Sequence, residues 1–310
     1  MKLSNDNGKG LKTMFSKKAV IYSVIAVIIL VLLVQIKIAL EKPEIMHENG
    51  LDNNQDPNNI NELNQGFTLD SGEEVGLLIL HGLGASPYQT RDLANYLHEN
   101  GVTISSIRLS GHGTTLKDLK SKEWEDWYED TKVAYEELDQ KTDKTYVLGI
   151  SLGSSLALKL AQDQEIDGLV LIAPPIYLTS SKAKFAFLIK HIQKYHYFGV
   201  DETQIGYSYE NLPIKTIAEF VGLISKTKSK LDKIDEDVLI IQSHKDALVK
   251  PESAKYVFDN IKSINKDILF LSSVGHSVIR TDDEDTKESI AERQNVFTKI
   301  NEFIDNANRD

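Results

Sequence analysis

The chain has 310 residues, of which 41% are hydrophobic and 26% charged, and a formal net charge of −11. That composition belongs to a globular protein and excludes disordered and collagen-like classes, while the length suits one large domain or two ordinary ones. There is no cysteine, which excludes disulfides, thiolate metal sites and a cysteine nucleophile.

Charge is unevenly placed. Residues 1–42 carry seven lysines against Asp6 and Glu41, a net of +5, which leaves −16 for the remainder. An acidic body repels phosphate backbones, so no nucleic-acid partner is expected. The basic part is short and borders an apolar run, which points to a membrane.

Residues 1–18 read as a basic cytoplasmic segment. Ala19 to Val34 is then apolar apart from Tyr22 and Ser23. Sixteen helical residues span roughly 24 Å, short of a ~30 Å hydrocarbon core, and extension to Leu40 brings the length to roughly 33 Å. That extension includes Gln35 and Lys37, and a lysine near a helix end can snorkel to the headgroups. A transmembrane anchor over 19–40 is therefore expected. Lys12, Lys17 and Lys18 before the run put the N-terminus in the cytoplasm and the rest of the chain outside the cell membrane. A cleaved secretory signal is the main alternative, but no convincing small-x-small site follows and the run is long for a signal core. A buried core helix fits poorly, because the run has no polar face.

From Glu41 to Gly66 the chain is rich in Asn, Asp, Glu and Gln and includes Pro43 and Pro57, so a flexible linker over 41–66 is expected. Residues 67–310 then alternate in pattern. Strands are predicted at Val75–Leu80, Val102–Ile107, Tyr146–Ile150, Leu169–Ala173, Val238–Gln242 and Ile268–Leu271. Helices are predicted at Tyr88–Asn100, Trp124–Leu138, Leu152–Gln162, Glu252–Ile261 and Lys287–Phe303. Short β-branched runs separated by amphipathic helices imply an α/β domain, with a mostly parallel sheet covered on both faces. Residues 176–214, with seven aromatic side chains from Phe185 to Tyr209, are too long for a plain connection and read as an inserted, partly helical cap.

Gly149-Ile150-Ser151-Leu152-Gly153 matches G-x-S-x-G and falls between a predicted strand and a predicted helix. Such a turn is too tight for side chains beside the serine. It would hold the Ser151 hydroxyl at the sheet's carboxyl edge, near a helix N-terminus that favours developing negative charge. The plain alternative is a strand-to-helix turn with Ser151 as N-cap.

A serine hydroxyl needs a base to take its proton. His276 follows the last predicted strand, and Asp246 follows the strand before it. The order Ser, Asp, His, each just past a strand, suits nucleophile, orienting acid and base. Asp237 and Asp267 begin strands, at the wrong end. His244 reads as a loop residue, and Asp282 to Asp285 as a solvated charge run.

An oxyanion would need preorganised N–H donors. The Leu152 amide, directly after the nucleophile, is one candidate. The Leu83 amide, between Gly82 and Gly84 in His81-Gly82-Leu83-Gly84-Ala85-Ser86-Pro87, is the other. His81 reads as structural. No metal site and no cofactor are expected, since the histidines lack ligand spacing with carboxylates and no Gly-rich phosphate loop precedes a lysine.

Together these segments resemble the bacterial carboxylesterase and monoacylglycerol-lipase-like branch of the α/β-hydrolase superfamily, from about Phe67 to Phe303. The likeness also includes Arg108-Leu109-Ser110-Gly111-His112-Gly113-Thr114 and Trp124-x-x-Trp127 with Asp130. It implies the α/β-hydrolase fold, a triad of Ser151, Asp246 and His276, oxyanion amides at Leu83 and Leu152, and a structural turn at Gly111-His112-Gly113. Two departures stand out: Ser154 replaces a glycine common in the branch, and the first strands before the core are barely represented. The implied activity is hydrolysis of an acyl ester or lipid. Acyl transfer, thioester or amide hydrolysis on the same triad, and a non-catalytic surface binding protein, stay open. Oligomeric state is not legible.

Overall fold

The computed structural model describes residues 21–26, 29, 30, 61–72, 74–180, 183, 185–190, 194–197, 207–280 and 285–307. These fall into two units, residues 21–30 in one and everything from 61 onward in the other. In the first, 21–26, 29 and 30 are helical, with Ile21, Tyr22, Val24, Ile25, Ile29 and Leu30 exposed. The rest of the expected 19–40 anchor, and most of the expected linker, lie outside the described residues. Among the described residues no helix is long and apolar enough to cross a membrane.

Among the described residues the second unit has nine strands. They are β1 (Phe67–Leu69), β2 (Val75–Leu80), β3 (Thr103–Ile107), β4 (Lys144–Ile150), β5 (Gly168–Ile172), β6 (Tyr195–Tyr197), β7 (Asn211–Pro213), β8 (Asp237–Ser243) and β9 (Lys266–Leu271). Its helices are α1 (Arg91–Glu99), α2 (Leu116–Ser121), α3 (Trp124–Asp139), α4 (Leu152–Ala161), α5 (Ala186–Ile189), α6 (Ile214–Lys228), α7 (Glu252–Asn260) and α8 (Lys287–Ala307). Seven strands form one sheet in the order β1-β3-β2-β4-β5-β8-β9. All neighbours are parallel except β1, which runs antiparallel to β3 at the edge.

Strand alternation explains the two layers, because successive side chains point to opposite faces. Leu78, Leu80, Val147, Leu169, Leu171 and Ile240 enter one core with Trp127, Leu156 and Phe220. Leu77, Ile79, Leu148, Val170, Ile172 and Ile241 enter the other with Leu93, Leu97, Val296 and Ile300. Both faces are apolar because both are covered, as a parallel sheet requires. This is the α/β-hydrolase fold expected from the sequence.

Chain order reverses between β2 and β4: β2 pairs with β3 on one side and β4 on the other. Ligands of open α/β sheets bind beyond the carboxyl ends of strands at such a switch point. The His81 loop leaves β2 and Ser151 leaves β4, so both flank it.

Several details differ from the sequence reading. Residues 61–66, expected as linker, instead carry a 3₁₀ turn at Glu62–Asn64, and Asn64 is fully buried, accepting the Ser86 hydroxyl at 2.7 Å. Helix α6 was not anticipated, although Ile217, Phe220, Leu223 and Ile224 lie on its buried face. The edge strand β1 has only three residues. Asp285 is not part of a solvated run: it accepts the Ser289 hydroxyl at 2.9 Å and pairs with Arg293, both side chains nearly buried.

Candidate active site

The elbow between β4 and α4 forces close backbone approach. Ser151 has φ 52° and ψ −108°, a left-handed conformation that a serine adopts only when its surroundings hold it there. A Cβ on Gly149 would lie 2.2 Å from Gly153 carbonyl carbon, and one on Gly153 would lie 2.1 Å from the Leu80 oxygen. Only glycine fits at either position. The Ser151 N–H donates to Ile172 O at 2.8 Å, which ties the elbow to β5. Ser154 adds a second tie: its buried hydroxyl lies 2.6 Å from Gly149 O and 2.8 Å from Ile172 O. The side chain that departs from the family pattern thus fills a polar role between the strands.

Asp246 and His276 meet although 30 residues separate them. His276 Nδ1 lies 2.8 Å from Asp246 Oδ2, and the Asp246 side chain is wholly buried while His276 keeps 21% exposure. Gln242 Nε2 donates to the same carboxylate oxygen at 3.1 Å. The other oxygen accepts the amides of Leu248 at 2.8 Å and Val249 at 2.9 Å. Burial alone would raise the Asp246 pKa. The His276 hydrogen bond and charge, with the Val249 and Leu248 amides, outweigh it and hold the group below its ordinary value. The adjoining loops are also laced together, since the Ser243 hydroxyl donates to Val274 O and His244 N–H donates to Leu271 O. His244 itself stacks on Phe270, outside this pair.

Two fully buried histidines lie under the loop after β2. His81 Nδ1 donates to Gly82 O at 2.9 Å and Nε2 accepts the Leu109 N–H at 3.2 Å, which fixes a neutral ring. Burial pulls its pKa to about 4, against a smaller raising effect of the Gly82 bond. His112 is lowered well below its ordinary value, first by burial and then by His81, whose ring centroid is 4.9 Å away. His112 belongs to a turn held by Asp130, which accepts the Ser110 N–H at 2.6 Å and hydroxyl at 3.0 Å, and by Trp127 Nε1 donating to Ser110 O. Both histidines are structural, as expected.

The same contacts orient the expected oxyanion loop. Gly82 O is held by His81 and by the Ala85 N–H at 3.2 Å. In a trans peptide the following N–H points the opposite way, so the Leu83 amide turns away from His81. Among the described residues the amides of Leu83 and Leu152 donate to no acceptor. Gln89 steadies the loop by accepting the Gly82 N–H at 2.9 Å. The Tyr209 N–H donates to Gly84 O at 2.8 Å, while its hydroxyl donates to Gly111 O at 2.9 Å and accepts the Thr114 N–H at 3.0 Å.

A cavity of about 350 Å³ gathers Leu83, Ser151 and His276 on its wall. Leu178, Leu212, Ile217, Phe220, Leu248 and Val249 make much of that wall apolar, with Gln89, Ser180, Ser208 and Ser277 as polar exceptions. Asp246 stands behind His276, and Leu152 is buried at the start of α4. A larger cleft of about 610 Å³, lined by Thr68, Asp70, Thr103, Glu137 and Lys141 among others, contains none of the expected site residues. Gln242, Gln89 and Tyr209 were missed from sequence because their hydrogen bonds depend on how the loops meet in the fold and none of the three belongs to a motif.

A family described as serine aminopeptidase S33 matches residues 74–200. The chain is 27% identical over 244 residues to a carboxylesterase of Bacillus subtilis (strain 168), covering 77% of this chain and 95% of that one. It is 29% identical over 237 residues to a thermostable monoacylglycerol lipase of Bacillus sp. (strain H-257), covering 75% and 94%. Among solved structures, one of a metagenome-derived lipolytic enzyme superposes with TM-score 0.69 at 24% identity, covering 78% of this chain and all of that one. Monoglyceride lipase of Saccharomyces cerevisiae superposes with TM-score 0.65 at 17% identity, covering 78% and 91%. The chain has the α/β-hydrolase fold and, over about three quarters of its length, is similar to an ester-cleaving carboxylesterase and a monoacylglycerol lipase.

Proposed function

We propose that the chain cleaves carboxylic esters of the acylglycerol or simple acyl type through an acyl-enzyme on Ser151, with His276 as general base and Asp246 as its orienting acid. The observation that carries this reading is the Asp246–His276 pair opening into the same largely apolar cavity as Ser151. His276 Nε2 takes the hydroxyl proton as the oxygen attacks the ester carbonyl. The amides of Leu83 and Leu152 receive the oxyanion, and the proton then passes from His276 to the departing alkoxide. Water, deprotonated by the same ring, releases the acid and restores Ser151. Leu178, Leu212, Ile217 and Phe220 offer the acyl chain an apolar wall.

The bacillar relatives named above support an ester, whereas the family description names a peptidase. Ester, thioester and anilide substrates of equal acyl length, given to the full chain and to Ser151→Ala, separate these. The reading expects ester turnover at least about tenfold above anilide and none in the variant; anilide preference overturns it.

The apolar run at 19–40 and the lysines before it support a cell-membrane anchor, with the N-terminus cytoplasmic and the hydrolase domain outside. External protease applied to intact cells should then digest the domain, and full protection would refute that placement.

A further inference from the structure

Helix α8 sends one carboxylate to the loop that carries His276. Glu292 Oε1 accepts the Ser272 N–H at 2.8 Å, and Oε2 accepts those of Ser273 at 2.7 Å and Val274 at 3.2 Å. Three consecutive amides converging on one anion form a backbone nest, and such charge-assisted bonds are stronger than neutral ones. Packing does little of this work. Ser272 and Gly275 are exposed, a Cβ on Gly275 would meet nothing within 4 Å, and only Val274 of the four residues from 272 to 275 is buried. On its other side the loop is tied to the Asp246 loop through Val274 O and the Ser243 hydroxyl. The segment before His276 is therefore gripped from two directions, by β8 and by Glu292.

We infer that Glu292 is a positioning residue for His276: its carboxylate fixes the 272–274 backbone and thereby the place of the imidazole relative to Ser151. This rests on the reading of His276 as general base. A displacement of about 1 Å in a reacting group can cost on the order of a hundredfold in rate. Loss of the tether should therefore appear in the chemical step more than in substrate binding.

The test compares the full chain with Glu292→Ala, Glu292→Gln and the reference variants His276→Ala and Ser151→Ala, all on one short-chain aryl ester, with rates normalised to the folded fraction. Glu292→Ala is expected to lower kcat about tenfold while KM stays within about twofold. Glu292→Gln, which keeps one acceptor oxygen but no charge, should recover part of that loss, and it serves alone if the alanine variant fails to fold. Wild-type kcat in the glutamine variant, and in the alanine variant where it folds, overturns the inference, as does a fall in melting temperature with kcat unchanged. Wild-type kcat in His276→Ala would instead overturn the assignment of the base, a result distinct from either.

Discussion

His276 Nδ1 and Asp246 Oδ2 stand 2.8 Å apart, on loops leaving adjacent strands β8 and β9. The aspartate receives four donors in all, from His276, Gln242, Leu248 and Val249, so its carboxylate is fully satisfied without water. A buried acid so supplied can hold an imidazole in one tautomer through a whole catalytic cycle.

Replacing that acid by its amide tests the relationship. Asp246→Asn should keep the fold but lower kcat by about 10⁴, because an amide nitrogen facing Nδ1 favours the wrong tautomer. Stability carries a second signature. The native Asp246 pKa is held below its ordinary value, so its contribution is present above that ordinary value and is lost as pH falls through the native one. Urea denaturation of the asparagine variant should therefore show a shallower loss of stability in acid than the wild type. An equally steep loss would deny the linkage.

His81 predicts a different window. Its native pKa is about 4 against the ordinary 6.5, because burial disfavours the charged ring. The unfolded chain takes up a proton first, so stability falls as pH drops from 6.5 towards 4. The full penalty is about 3 kcal/mol, and His112 adds to it in the same direction. His81→Gln should flatten the rise in unfolding free energy between pH 4.5 and 7. It should also slow turnover, since Gly82 O loses a holder of the Leu83 peptide.

At the elbow, Ser154→Ala removes a hydroxyl shared by Gly149 O and Ile172 O. The expected cost is about 1 kcal/mol in chemical denaturation. Gly153→Ala should give no folded protein, because its methyl would overlap the Leu80 carbonyl.

The parts legible in the sequence were those written in local pattern. Short, nearly continuous apolar runs such as Val75–Leu80 and Val238–Gln242 announced the buried strands, and the glycines around Ser151 announced a turn that admits no side chain. Asp246 and His276 could be picked out because each follows a strand, and the structure brings their side chains together. Helix α6 escaped notice because it follows the aromatic stretch without a cap signal; Pro213, at its N-cap, makes no side-chain hydrogen bond. Glu292 and Gln242 escaped for another reason. Their roles depend on which loop faces which helix or strand, a tertiary fact with no trace in spacing. Asp285 looked like one of several solvated acids, and only its approach to Arg293 sets it apart.

The most direct test is covalent. The full chain treated with a fluorophosphonate should gain the mass of one phosphonyl group, and peptide mapping should find it on Ser151. Ser151→Ala should gain nothing, and His276→Ala should react at least about a hundredfold more slowly. An adduct on another residue, or equal labelling of Ser151→Ala and wild type, would contradict the account.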